Sequence, residues 1–172
     1  MRVVYTRHNH HHFDFHLGVD VISINVICVG NLKEKFSKDE QAEYCKRLSS
    51  FCDLNIIELK EQNHLQNPQT ILEKEGQEIL KKLKGYVVLC DISGKSVSSE
   101  QFAEKIKNLM QQTSTITFVI GGSYGVSEEV RKASNERISF SAMTFPHNLF
   151  RIMLLEQTYR AFTILGNKTY HK

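Results

Sequence analysis

Thr115-Ile116-Thr117-Phe118-Val119-Ile120, followed at once by Gly121-Gly122-Ser123-Tyr124-Gly125, decides the fold class of this 172-residue chain. The first six residues are β-branched, aliphatic or aromatic and read as a buried strand. Paired glycines at its carboxyl end read either as an ordinary tight turn or as a place where backbone approaches a ligand closely. A short polar helix over 127–133 comes next, then a further strand over 137–142. That strand runs into Ser141-Ala142-Met143-Thr144-Phe145-Pro146-His147 and a long helix from about 148 to 165. In an open α/β sheet, ligands gather outside the carboxyl ends of strands. The stretch therefore reads as a small-molecule site, with the chain end Asn167-Lys168-Thr169-Tyr170-His171-Lys172 placed over it.

Upstream, strands and helices alternate. Ile24 to Val29 is an apolar run ending at Gly30, and Ser37-Lys38-Asp39-Glu40 has the form of a capping box for a helix reaching about Ser50. Ala42, Cys45 and Leu48 would line one face of that helix. Leu54 to Leu59 alternates in part, as a strand near a sheet edge does. Asn67-Pro68 offers an N-cap and a proline at the first helical position, for a helix running to Lys84 and ended by Gly85. Gly76 sits mid-helix at a cost of roughly 1 kcal/mol against alanine, which points to close packing there. Tyr86 to Asp91 reads as a strand buried on both faces, 92–95 as a loop, and Ser98-Ser99-Glu100-Gln101 as a second capping box. The helix it opens carries Phe102, Ile106, Leu109 and Met110. This alternation predicts an α/β fold with a mainly parallel sheet and helices on both faces.

Residues 1–21 read as a leader or tag outside the domain, and 22–172 as a single domain. Five of the eight histidines (His8, His10, His11, His12 and His16) crowd into this leader. Its acids and bases cancel, so the net charge of +3 belongs to the rest of the chain. A metal site in the leader is the alternative reading of those histidines. A charge of +3 permits an RNA partner without demanding one. Cys28, Cys45, Cys52 and Cys90 lack zinc or CxxC spacing, and Cys28 and Cys90 sit inside apolar runs, as reduced thiols do, which points to a cytoplasmic protein with no metal requirement. No run approaches membrane-spanning length.

The last helix is apolar on more than one side: Leu149, Ile152, Met153, Leu154, Leu155, Tyr159, Phe162 and Leu165. In so small a domain that predicts burial against a second copy, a homodimer. His147 with Arg151, and Glu156 with Arg160, are each one turn apart and fall on roughly opposite sides. The plain alternatives are a helix-start histidine satisfied by backbone for His147, an i,i+4 ion pair for Glu156 with Arg160, and a frayed terminus for Tyr170-His171. No G-K-[ST] P-loop is present, and the dinucleotide fingerprint after an early strand is missing.

Taken together, the motifs resemble one family. Gly121-Gly122-x-x-Gly125, Ser141 to His147, Arg151, Glu156-x-x-Tyr159-Arg160-Ala161 and Tyr170-His171 are similar to the RlmH (YbeA) family, small SPOUT-class methyltransferases acting on pseudouridine of large-subunit ribosomal RNA. Val29-Gly30, Lys46-Arg47-Leu48, Glu73 to Gly76 and Ser93-Gly94-Lys95 fit as well. Two positions depart from the family: Cys90 where an acid often follows the leucine, and Ser123-Tyr124 in place of a proline–acid pair.

The resemblance implies a C-terminal trefoil knot, a rarity among folds. It implies S-adenosylmethionine held by Leu89, by Gly121, Gly122 and Gly125, and by Ser141, Ala142, Met143, Thr144, Phe145 and Pro146. A homodimer is implied too, each tail completing the other chain's site. The reaction it implies is methylation of N3 of a pseudouridine in the helix 69 loop of 23S rRNA within assembled ribosomes. His171, Tyr170, Arg160 and Glu156 are then the catalytic candidates; His147, Arg151 and Lys172 are the substrate-binding ones. A SPOUT enzyme acting on tRNA and a non-enzymatic RNA-binding module are the rival readings.

Overall fold

A computed structural model describes residues 2–4 and 21–166. Six strands form one sheet in the order β1-β3-β2-β5-β4-β6. These are β1 (Arg2–Val4), β2 (Ser23–Val29), β3 (Asp53–Leu59), β4 (Tyr86–Ser96), β5 (Thr115–Ile120) and β6 (Glu136–Ser139). From β3 across to β6 all pairings are parallel; β1 alone adds antiparallel to β3. The partial alternation of β3 fits its place, with only three-residue β1 beyond it. The boundary expected near residue 21 falls largely outside the described residues.

Five helices cover the two faces: α1 (Lys35–Leu48), α2 (Pro68–Leu80), α3 (Ser99–Gln112), α4 (Glu128–Ala133) and α5 (His147–Leu165). The two-residue period of the strands divides the core. Ile24, Val26, Leu54, Ile56, Ile116 and Phe118 pack with Leu48 of α1, Phe102 and Ile106 of α3, and Leu154 and Phe162 of α5. Ile27, Val29, Leu89 and Val119 point the other way, onto Ile79 of α2 and Val130 of α4. The sheet is therefore sandwiched, as the strand–helix alternation predicted.

Local signals behave unevenly. Ser98 and Gln101 close the predicted capping box in both directions, at 3.1 and 2.8 Å. Asn67 caps α2 through the Gln69 amide at 2.9 Å, with Pro68 in the first turn. The box expected at Ser37 does not form: α1 starts earlier, with Glu34 at its N-cap making no side-chain bond. Gln41, not Ala42, is the buried partner of Cys45 and Leu48, because its amide oxygen meets Arg151. The helix α2 ends at Leu80 rather than Lys84, and Gly85 adopts φ +63° just before β4. Gly76 has the close contact its position implied: a Cβ there would stand 2.5 Å from Ser127 Oγ.

Candidate donor-binding cleft and its surroundings

Three connections leave the carboxyl ends of β4, β5 and β6, which are neighbours in the sheet. They enclose a cleft of about 740 Å³, within the ordinary range for small-molecule sites.

The first connection is a bulge. Ile138 of β6 pairs with both Cys90 and Lys95 of β4, so residues 91–94 loop out of the sheet between two paired segments. Gly94 makes this possible, since a Cβ there would lie 2.7 Å from the Arg137 and Ile138 backbone. The stretch expected to be a simple loop after residue 91 is thus a detour within a longer strand. It carries Asp91 and Ile92 into the cleft. Asp91 is held by Arg131 of α4 and by the Ser93 amide at 3.2 Å. Burial alone would raise its pKa; the Ser93 bonds and the Arg131 charge outweigh that and hold the carboxyl below its ordinary value. Burial pushes the Cys90 thiol well up, so it stays protonated.

The second connection is the glycine turn. The Gly125 amide donates to the Gly122 carbonyl at 3.0 Å, and Gly125 has φ +81°. A Cβ on Gly121 would lie 2.5 Å from the Gly125 carbonyl oxygen. One on Gly122 would press on Val29 at 3.1 Å and on Glu75 at 3.2 Å. This is a tight turn, and it lines the cleft with bare backbone.

The third connection runs from Ser139 into α5. Ser139 Oγ donates to the Ser141 carbonyl at 2.8 Å, and Ser141 Oγ accepts from the Met143 amide at 3.0 Å. Phe140 packs between Phe102, edge-on at 5.6 Å, and Phe150, tilted at 5.0 Å, which anchors this connection to the core. Such aromatic pairs contribute about 0.5–1.5 kcal/mol beyond their buried area.

Gly121, Gly122, Gly125, Ser141, Met143, Thr144, Phe145 and Pro146 line the cleft, as does His147. Leu89 is fully buried in the core below it, and Cys90, Asp91 and Ile92 take its place in the lining. Ala142 is exposed and outside the lining. Ile92, Ile138, Phe140 and Phe150 line it without a local sequence signal, since only the strand bulge and the aromatic packing put them there.

Arg151 sits elsewhere than a phosphate-contacting role requires. It is 1% exposed. Its guanidinium donates to Glu58 at 2.7 Å, to the Gly30 carbonyl at 3.1 Å and to Gln41 at 3.3 Å. It ties α5 to α1, β3 and the loop after β2. His147, at the start of α5, stands beside the same loop, its Nε2 3.6 Å from where a Cβ on Gly30 would be. Glu156 and Arg160 form the expected pair at 2.9 Å, and they lie outside the cleft. Glu156 lines a separate cavity of about 370 Å³ with Leu149, Met153 and Tyr44. Tyr170, His171 and Lys172 lie outside the described residues.

Asp91, Cys90 and His147 are the titratable groups among the described lining residues. Asp91 is committed to Arg131 and Cys90 is held neutral. The cleft is therefore equipped to hold a ligand by backbone groups and apolar contact, and not by itself to move protons with a carboxylate. No helix among the described residues is long and apolar enough to cross a membrane.

Residues 22–171 match the family model described as "Predicted SPOUT methyltransferase". A protein of Clostridium botulinum (strain 657 / Type Ba4) named Ribosomal RNA large subunit methyltransferase H is 51% identical over 159 residues, spanning 88% of this chain and 100% of that protein. Among solved structures, a probable methylase family protein from Haemophilus influenzae Rd KW20 is 14% identical with a TM-score of 0.49, covering 90% of this chain and 71% of that one. The putative methyltransferase Lpg2936 from Legionella pneumophila, solved with bound SAM, is 11% identical with a TM-score of 0.46, covering 83% and 67%. Likeness at that level carries no functional weight.

Proposed function

This chain belongs to the SPOUT methyltransferase family, and from that premise we propose that it methylates N3 of a pseudouridine in the helix 69 loop of 23S rRNA, in assembled ribosomes. It is an RNA methyltransferase. Similarity along the full length of a ribosomal RNA methyltransferase supports the substrate class. The methyl donor is S-adenosylmethionine, which supplies an activated methyl on a sulfonium.

The observation that carries this reading is the cleft at three neighbouring strand ends. A donor of this kind has methylene segments flanking a cationic sulfonium, a flat base and many hydrogen-bonding edges. The cleft offers Ile120, Ile138, Phe140 and Phe145 for the first two, and the bare backbone of Gly121, Gly122 and Gly125 for the third. Ser141 is already committed to the Met143 amide, so it shapes its loop. Leu89 contributes through the strand that ends in the bulge. Ala142 keeps the loop turning between them.

The proton on N3 must leave as the new bond forms, and the described cleft has no free carboxylate to take it. The tail fills that need: His171 accepts the proton, Tyr170 stacks on the base, and Lys172 meets phosphate. Glu156 and Arg160 lie beyond the cleft, so in this account they act across a homodimer interface on the partner's site. Leu149, 50% exposed, supports such an interface on α5. Met143 and Ile92, 73% and 53% exposed on two cleft connections, support closure of the cleft by another surface. His147 faces the Gly30 loop and shapes the rim. Arg151 supports that loop from below. The C-terminal knot and the cytoplasmic setting belong to the same proposal, as does a domain over residues 22–172 to whose sheet Arg2–Val4 add as β1.

The test is transfer of labelled methyl from S-adenosylmethionine to ribosomes lacking the modification, with free 23S rRNA and tRNA in parallel. The proposal expects label in ribosomes alone. Label in tRNA would keep the enzyme class and overturn the substrate. Removing residues 170–172 should abolish transfer and leave donor binding within a few-fold; normal turnover without them would overturn the role of the tail.

A further inference from the structure

A buried acid lies directly beneath the glycine turn, and nothing in the reaction as described uses it. Glu75, on α2, is 5% exposed, and its Oε2 has no hydrogen-bond partner. The next residue, Gly76, lets α2 pack closely on Ser127. Both carboxyl oxygens face Gly122: they lie 3.2 and 3.4 Å from where a Cβ on that residue would be. Glu61 meets the same turn, accepting from Ser123 Oγ at 3.3 Å. The turn that lines the cleft is thus flanked by two acids, one buried and unpaired, one bonded to the turn itself.

An unpaired carboxylate in such a place is costly, and its neutral acid much less so. We propose that Glu75 is a positioning residue for the glycine turn, supporting Gly122 as a neutral carboxylic acid and displacing it on ionisation, so that donor binding weakens as pH rises through neutrality. The proposal rests on the reading of the cleft as the donor site. The proton's affinity is consistent with it: burial first, then the Glu61 charge, raise the Glu75 pKa to about 7. Glu61 is the charged group that acts on it; the turn contributes the Ser123 hydroxyl, α4 the Ser127 hydroxyl and β2 the Val29 side chain. His147 and Glu61 both stand beside Gly30, their Nε2 and Oε2 3.6 and 3.8 Å from where a Cβ on that residue would be.

If only the protein with neutral Glu75 accepts the donor, the apparent dissociation constant scales with the inverse of that fraction. With a midpoint of about 7, affinity should fall about tenfold between pH 6 and pH 8. Glu75→Gln, an isostere of the neutral acid, should flatten that dependence. Glu61→Gln removes the repelling charge and should move the midpoint to lower pH, a shift that a merely structural role of Glu75 would not produce.

Two measurements keep this separate from the donor assignment. In the ligand-free protein, the Gly122 and Gly125 amide resonances should titrate with a midpoint near neutrality, and the titration should vanish in Glu75→Gln. If they do not titrate, or titrate equally in the variant, the inference fails whatever the cleft binds. Calorimetric titration with S-adenosylmethionine at pH 6, 7 and 8 is the second. Amide titration without donor binding at any pH would sink the donor assignment and leave the turn's response intact. Binding that tightens with rising pH would overturn the proposal, because the carboxylate would then be attracting the sulfonium.

Discussion

Replacing Arg151 by alanine should destabilise this domain far more than an ordinary substitution. The guanidinium is 1% exposed and donates to three acceptors drawn from α1, β3 and the loop after β2. Truncation removes all three bonds at once. It leaves the Glu58 carboxylate, whose side chain is 19% exposed, without its cation, and the Gly30 carbonyl without a donor. Breaking a buried ion pair from one side costs about 3–5 kcal/mol. Against a total stability on the order of 5–15 kcal/mol, that is a large share. With a urea slope of roughly 2 kcal/mol per molar, the midpoint should fall by about 2 M. Urea denaturation followed by far-UV circular dichroism reads this directly. The double variant Arg151→Ala with Glu58→Ala should lose less than the sum of the single losses, because the orphaned charge is gone. A loss under about 1 kcal/mol for Arg151→Ala, or strict additivity, would refute the assignment of Arg151 as a structural tie.

Gly121→Ala should disrupt the turn, because the new Cβ would sit 2.5 Å from the Gly125 carbonyl oxygen; donor affinity by calorimetry should drop at least tenfold. Asp91, with its pKa held low, contributes stability that is present above the unfolded value of about 3.9 and lost as pH falls through its lower folded value. Arg131→Ala should therefore reduce the gap between thermal midpoints at pH 6 and at pH 3. Glu75 has the opposite sign: its folded pKa of about 7 exceeds the unfolded 4.5, so stability declines as pH rises between those values and the penalty is complete above them. Glu75→Gln should gain in thermal midpoint over the parent chain at pH 8 relative to pH 5. Burial raises the thiols of Cys28 and Cys45 to about 12, so alkylation of these two at pH 8 should await unfolding, which mass spectrometry after brief iodoacetamide treatment would check.

Much of the fold was legible because local chemistry and tertiary packing agree. The β-branched runs at 24–29 and 115–120 are central strands, and Ser98-Ser99-Glu100-Gln101 caps as its residue types dictate. Where the reading missed, a distant partner decides. Ser37 lies inside α1, which starts at Lys35, and Gln41 turns inward, where Arg151 from 110 residues away donates to its oxygen. The bulge at 91–94 depends on Ile138 pairing twice; no periodicity within β4 announces it. His147 and Arg151 are one turn apart, which placed them correctly on the helix but could not say that one reaches Glu58 in the core while the other rims the cleft. Glu75 entered the reading only as part of the Glu73 to Gly76 motif. Only Gly76, flagged for close packing, hinted that this face was covered, and the glycine turn lying over Glu75 is a contact between residues 75 and 122. The cleft's three connections were legible as strand ends, while the role of the tail came from family resemblance and lies beyond the described residues.

The most direct test of the central claim is where the donor binds. Titration of S-adenosylmethionine into isotopically labelled protein, followed by amide resonances, should perturb residues 90–92, 121–125 and 139–147 together and saturate at one donor per chain. Perturbations confined to the cavity between α1, α3 and α5, or absent from all three strand ends, would contradict the account.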